Sequence, residues 1–262
     1  KEHSTYESSK FVEIIVKKFK YKIENKRYHT WNYYLRQKFG TKVFKVSINA
    51  GFTCPNIDGS ISYGGCAYCS KDGSGDFAGN PRDNLVKQFK EIKEMMEKKW
   101  PQAKYIGYFQ AFTNTYAPLE VLKEKYEIIL DQEGVIGLSI STRPDCIDDH
   151  ILDYLDDLNK RTNLWVELGL QTVHDKTSNI INRGHGLDIF IDCVNRLRSR
   201  GIEVVAHVIN GLPGESHDMM METISRVAQM NIQGVKIHLL HVIKGTPMVN
   251  MLNRGDLKLL TK

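Results

Sequence analysis

The sequence predicts an α/β fold: a partial (βα)6 barrel of the TIM-like kind, carrying a basic N-terminal extension. Three observations predict it. Strand-like and helix-like segments alternate from about residue 43 onward. Six strands are found, and the two more that a full barrel needs are not. The chemically distinctive residues fall just after the strands, where the βα loops of such a barrel gather. Charge sets the first 42 residues apart. Residues 1–45 hold twelve Lys/Arg against four Asp/Glu, whereas the rest of the chain is slightly acidic. The expected organisation is therefore an extension, 1–42, and a barrel, 43–262.

The extension interleaves basic residues such as Lys22, Arg27, Arg36 and Lys42 with Tyr21, Tyr28, Trp31, Tyr33 and Tyr34. Cations and aromatic rings together suit phosphates and unstacked bases, although for a charge run taken alone a solvated amphipathic helix is the commoner reading. The strands are then expected at 43–49, 104–110, 135–141, 164–170, 203–210 and 235–242, all rich in β-branched or apolar residues. Between them, Leu85, Val86, Phe89, Ile92 and Met96 recur at helical spacing in 84–100. Residues 118–130, 147–158, 187–200 and 216–230 follow the same rule, the fourth of these five helices ending in Arg200-Gly201, a stop signal.

No apolar run approaches the roughly 18 residues of a membrane span. A cytoplasmic location and no membrane partner are the expectation. The five cysteines are odd in number, and Cys54, Cys66 and Cys69 are clustered. That pattern points to a metal or redox site rather than a disulfide framework. Their spacing is C-x11-C-x2-C, directly after the first strand. Zinc would want a fourth ligand, available from Cys146, Cys193 or a histidine. A cubane cluster on three thiolates would instead leave one iron open.

Other distinctive residues share that end of the barrel. Gln110 ends the second strand, Ser141-Thr142-Arg143-Pro144-Asp145 the third, and Gln171 the fourth. Gly211-Leu212-Pro213-Gly214 follows the fifth, and His241 ends the sixth. Glu167 and Arg143 are expected to pair in the mouth. Lys236, His238, His241 and Lys244 are candidates for holding an anionic substrate. Alternation along a strand puts Lys236 and His238 on one face and His241 on the other. Cys146, near the mouth, is a possible hydrogen-atom donor or metal ligand; a small buried hydrophobe is the commoner role.

The cysteine loop resembles that of radical S-adenosylmethionine enzymes, whose three cysteines bind a [4Fe–4S] cluster after strand one. The eleven-residue gap departs from that family's commonest gap of three. Its Pro-Asn-x-Asp-Gly and Gly-Gly-Cys sequences resemble the YhcC/YtqA (MnmL-like) branch. Thr142-Arg143-Pro144-Asp145, Val166–Gln171, Asn182-Arg183-Gly184-His185 and Val242–Thr246 extend the resemblance to the radical domain of the elongator catalytic subunit.

The resemblance implies that Cys54, Cys66 and Cys69 ligate the cluster and that S-adenosylmethionine chelates the open iron. It places Tyr68 against the adenine, and the backbone of Gln110 and Ala111 at the methionine amino group. Ser141 stands where elongator-like proteins carry a Glu for that same group. Gln171 and His207 match ribose contacts, and Arg183 matches the partner of the methionine carboxylate. The implied activity is reductive cleavage to a 5′-deoxyadenosyl radical, with flavodoxin or ferredoxin as reductant. Members of this branch are associated with tRNA wobble-uridine modification, 5-carboxymethylaminomethyluridine to 5-aminomethyluridine, so tRNA is the implied substrate. The alternatives are a zinc-stabilised RNA-binding protein without radical chemistry, and a radical enzyme acting on a small metabolite.

Overall fold

The computed structural model describes residues 26–260, so the readings that fall on residues 1–25 lie outside the described residues. The chain divides into two compact units at Gly40/Thr41. In the first, helix α1 (Trp31–Phe39) starts at Thr30, whose hydroxyl accepts from the Tyr33 amide at 3.0 Å, and ends at Gly40 with φ 68°. Trp31 stacks on Tyr34 at 5.4 Å, and Lys38 donates to the Tyr34 hydroxyl.

The second unit holds a six-stranded sheet in the order β1 to β6, every neighbouring pair parallel. The strands are β1 (Val43–Ile48), β2 (Lys104–Phe109), β3 (Val135–Thr142), β4 (Asn163–Gln171), β5 (Glu203–Asn210) and β6 (Gly234–Leu239). Among the described residues β1 pairs only with β2 and β6 only with β5, so the sheet is an open half-barrel. The connecting helices are α2 (Leu85–Glu97), α3 (Leu119–Leu130), α4 (Asp149–Arg161), α5 (Asp175–Ile180), α6 (Leu187–Ser199) and α7 (His217–Ala228). Helix α8 (Pro247–Arg254) follows β6.

Strand alternation explains the two faces. Val46, Ile48, Phe109, Leu138, Ile140, Leu164, Val166, Leu168, Val204, Ala206 and Val208 join helix residues such as Phe89, Leu122, Tyr126, Leu155, Phe190 and Leu197 in one buried cluster. The alternate positions face the barrel interior, and several are polar: Lys45, Tyr108, Ser139, Glu167, His207 and Lys236. Gly107 is required on the helix side, because a Cβ there would stand 2.3 Å from Ile129. Side-chain caps fix three helix starts: Asn84 for α2, Asp148 for α4 and Ser216 for α7.

Strand six is shorter than expected. It ends at Leu239, so His241 and Lys244 lie beyond it on an exposed segment. Helices α5 and α8 had no sequence expectation. No helix among the described residues is long and apolar enough to cross a membrane.

Candidate functional site

The chain leaves β1 through a segment that is pinned on both sides. Gln88 of α2 accepts from the Asn49 amide and donates to its carbonyl, both at 3.0 Å. Lys125 of α3 donates to the Ala50 carbonyl at 2.8 Å. The cysteine loop then folds on itself, with Asp58 bridging Tyr63 and the Cys69 amide bonding the Cys66 carbonyl.

The Asn182–His185 segment cradles this loop. Asn182 adopts φ 52°, a left-handed conformation that asparagine tolerates better than most residues. Its side chain donates to Gly65 O at 2.9 Å and accepts from the Ser62 hydroxyl at 3.2 Å. Asn56 donates to the Asn182 carbonyl, and the Ala67 amide donates to Ile181 O. On the far side of the cysteines, Gln110 donates to Ser74 O at 2.9 Å, and the Phe112 amide donates to Gly73 O. A Cβ on Gly75 would stand 2.6 Å from that of Ala111. Gln110 and Ala111 therefore shape the loop after Cys69 with their side chains as well as their backbone.

The thiols themselves are set for a cationic group. Burial pushes the Cys66 thiol up, against the lowering pull of Tyr68 and Arg143. Burial and Cys66 push Cys69 up to about 12. Ionising such thiols needs positive charge, which a metal centre brings. The Asn56 amide, 3.5 Å from Cys66 Sγ, and the Ser74 hydroxyl, 3.3 Å from Cys69 Sγ, are donors placed for thiolates. The donor set thus fits a thiolate-bound cluster. Among the described residues, no three His, Cys, Asp or Glu side chains converge tightly enough to hold one metal ion. Thiolates on separate corners of a cubane do not need to converge in that way. Cys146 lines an open groove of about 570 Å³ with Pro55, Ile61 and Tyr116, and burial raises its thiol. Cys193 is buried in the helix layer.

Two expectations need correction. Arg143 does not pair with Glu167. Its guanidinium forks onto the adjacent Asp145 at 2.9 and 2.6 Å and donates to Arg183 O at 2.7 Å. Arg183 is not an open fork. Fully buried, it donates to the carbonyls of Leu170, Thr172 and His185 through four of its N–H groups, so a single N–H is left over for a carboxylate. The Ser141 hydroxyl donates to that of Tyr108 at 2.9 Å, which orients it and leaves its oxygen lone pairs as acceptors. The Tyr68 phenol lies by Cys66, and Tyr68 packs on a second apolar cluster with Ile181 and Leu240. Gln171, at the bulged end of β4, takes φ 64°.

His207 belongs to a constellation inside the barrel whose centre is Glu167. The carboxylate is fully buried and accepts from Lys45, from the Ser139 hydroxyl and from His207 Nε2 at 2.6 Å; Lys236 Nζ stands 3.8 Å away. Burial alone would raise this carboxyl. Lys45 first, then His207 and Lys236, outweigh it and hold it well below the usual range. Lys236 also donates to the Tyr108 hydroxyl at 2.9 Å and lies over its ring at 4.9 Å. Burial lowers the Lys236 ammonium and the His207 imidazole, and pushes His238, 5.4 Å from His207, down to about 4. Of the three substrate candidates, Lys236 and His238 are in this interior, whereas His241 is outside it. Lys45, Tyr108 and Ser139 escaped notice in the sequence. Their signal was a polar residue at every second position of an apolar strand, as in Val43-Phe44-Lys45-Val46-Ser47-Ile48.

Comparison with known proteins bears on both constellations. The YtqA protein of Bacillus subtilis is 57% identical over 244 residues, covering 93% of this chain and 76% of that one. A tRNA uridine(34) acetyltransferase of Methanocaldococcus infernus is 32% identical over 127 residues, 47% of this chain and 23% of that one. Among solved structures, the Elp3 protein of Methanocaldococcus infernus superposes with a TM-score of 0.59 at 20% identity, over 82% of this chain. This chain spans half the length of that structure, and the likeness is one of fold: the same half-barrel. A family model described as the radical SAM superfamily matches residues 61–227, a span that takes in Cys66, Cys69 and every strand from β2 to β5. On the match to that model and the identity to YtqA, the chain belongs to the radical SAM superfamily.

Proposed function

We propose that this chain modifies a tRNA wobble uridine, converting its 5-carboxymethylaminomethyl group to 5-aminomethyl. The observation that carries this reading is the barrel interior: immediately around Glu167, two ammonium groups face one carboxylate. That surplus of one positive charge suits a substrate carrying one carboxylate. The likeness to an enzyme named for tRNA uridine 34 supports the substrate class. So do the aromatic and basic side chains of α1.

Cys54, Cys66 and Cys69 would hold the [4Fe–4S] cluster. Tyr68, the backbone of Gln110 and Ala111, Ser141, Gln171 and the remaining N–H of Arg183 would contact S-adenosylmethionine. Together these groups supply, when bound, a reductively generated carbon radical that takes a hydrogen atom. The protein's own work is placement. Lys236 holds the substrate carboxylate, with Tyr108 fixing the ammonium from one side and Glu167 from the other. His238 closes the pocket as a neutral ring. The carbon between amine and carboxylate, placed by Lys236, would be the one oxidised, giving up a hydrogen atom to the bound cofactor's deoxyadenosyl group and an electron to the flavodoxin- or ferredoxin-type protein that serves the site. The resulting imine hydrolyses to the amine and a two-carbon aldehyde acid.

The experiment is to mix reconstituted enzyme, reductant and tRNA bearing the carboxymethylaminomethyl group, and to follow 5′-deoxyadenosine and the nucleoside. Stoichiometric formation of 5-aminomethyluridine is expected. No 5′-deoxyadenosine with modified tRNA refutes the reading, and turnover with small amines but not with tRNA transfers it to a metabolite.

A further inference from the structure

Imine hydrolysis needs a group that moves protons from water to the departing nitrogen, and the interior holds one. Glu167 is ionised and can only accept hydrogen bonds, so the 2.6 Å contact with His207 Nε2 requires that nitrogen to carry the proton. Nδ1 is then the basic lone pair. It has no partner among the described residues, and the side chain keeps 15% of its surface open. A base oriented from behind by a buried carboxylate is the arrangement by which enzymes prime histidine. Lys236 pairs with His207 in the β5–β6 register, and His238 lies one inward position further along. A carboxylate on Lys236 would therefore bring the carbon beside it to the His207 ring.

We propose that His207 is the catalytic acid–base residue of the hydrolytic half-reaction and Glu167 its positioning residue, in a pocket for an N-substituted aminocarboxylate. The assignment rests on the function proposed above. Water adds its oxygen to the imine carbon, the C=N π pair moves to nitrogen, and His207 Nδ1 takes one water proton. The imidazolium returns that proton to nitrogen. His207 then takes the hydroxyl proton as the aldehyde forms and the C–N bond breaks, its electron pair staying on the amine. This second proton also passes to the amine, so the histidine ends as it began. Burial and the neighbouring ammonium groups keep the imidazole neutral near pH 7, which makes it a base.

Two measurements test this. In the full chain with ¹⁵N-labelled histidine, two-bond spectra should show His207 protonated at Nε2 and bare at Nδ1 near pH 7. Glu167→Gln should abolish that preference and Glu167→Asp partly restore it. An Nδ1-protonated ring in the unsubstituted protein overturns the assignment. In single turnovers with modified tRNA, the ratio of aldehyde acid released to 5′-deoxyadenosine formed should be near one. It should fall about 100-fold or more in His207→Gln, with borodeuteride trapping the imine as deuterated substrate. A ratio near one in His207→Gln refutes the dyad and leaves the functional reading intact. No 5′-deoxyadenosine from the unsubstituted enzyme refutes that reading, and the dyad's role with it.

Discussion

The side-chain amide of Asn56 donates to the backbone carbonyl of Asn182 while standing 3.5 Å from Cys66 Sγ, so one residue joins the cysteine loop to the turn that cradles it. The consequence is testable at Asn182. Asn182→Gly keeps the left-handed backbone free of strain but removes the bonds to Gly65 and Ser62; Asn182→Ala removes those bonds and retains a Cβ in a left-handed conformation, which costs about 1–2 kcal/mol. Both should bind less iron on anaerobic reconstitution, and the alanine variant should also unfold at lower denaturant. Full iron in Asn182→Gly would mean that the side-chain bonds are dispensable.

Metal stoichiometry separates the cysteines. Alanine at Cys54, Cys66 or Cys69 should abolish cluster assembly. Alanine at Cys146, whose neighbours are Asp145 and the groove, or at buried Cys193, should leave about four irons and four sulfides per chain, the content of one cubane. Zinc bound in place of iron, and lost in Cys146→Ala, would restore the zinc alternative.

What the sequence made legible followed local rules. The strands announced themselves through β-branched runs, and five helices through their apolar spacing, because each buries one continuous face. The three cysteines stood out because thiol clustering is rare. Arg183 was located but its work was not, since its partners are carbonyls at 170, 172 and 185, and carbonyls leave no mark in a sequence. Glu167 was paired with Arg143 because both lie near the same barrel end. Which one meets Lys45 depends on strand register and on the inward face, and Arg143 follows the end of β3. Helix α5 spans only Asp175–Ile180, too short for periodicity to be read.

Acid should weaken this protein earlier than carboxylate titration alone predicts. His185 and His238 are pushed to about 4 by burial, and His207 is lowered for the same reason. Between pH 6.5 and about 4 the unfolded chain binds protons that the folded chain refuses, so stability falls as pH falls. The slope is up to about 1.4 kcal/mol per pH unit for each such histidine. Glu167 acts in the same direction at lower pH: its depressed carboxyl contributes above its unfolded value and is lost as pH falls through its folded one. Urea midpoints measured from pH 7.5 to 4.5 should drop steadily, and His238→Gln should flatten the curve. A flat profile in the unsubstituted chain would show that these histidines protonate freely in the fold.

Arg183 offers the sharpest division between architecture and ligand binding. Its guanidinium satisfies the carbonyls of Leu170 and Thr172, where β4 ends, and that of His185, where the cradling segment turns toward α6. Lysine keeps the positive charge, but a single ammonium does not span three carbonyls spread across a planar fork. Leu170 O keeps the Thr172 amide at 2.8 Å and His185 O keeps the Ser178 hydroxyl at 3.3 Å, so Thr172 O is the carbonyl left without a donor among the described residues. An unpaired buried carbonyl costs about 1–3 kcal/mol, so Arg183→Lys should lose about 1–3 kcal/mol. The measurement belongs to the metal-free chain, where no methionine carboxylate is present to be clamped. A large loss there establishes the carbonyl bonds as structural, and any further drop in S-adenosylmethionine affinity in the reconstituted variant then measures the one remaining N–H. An unchanged urea midpoint would instead show that the carbonyl bonds carry no weight and that the whole guanidinium is available to the ligand.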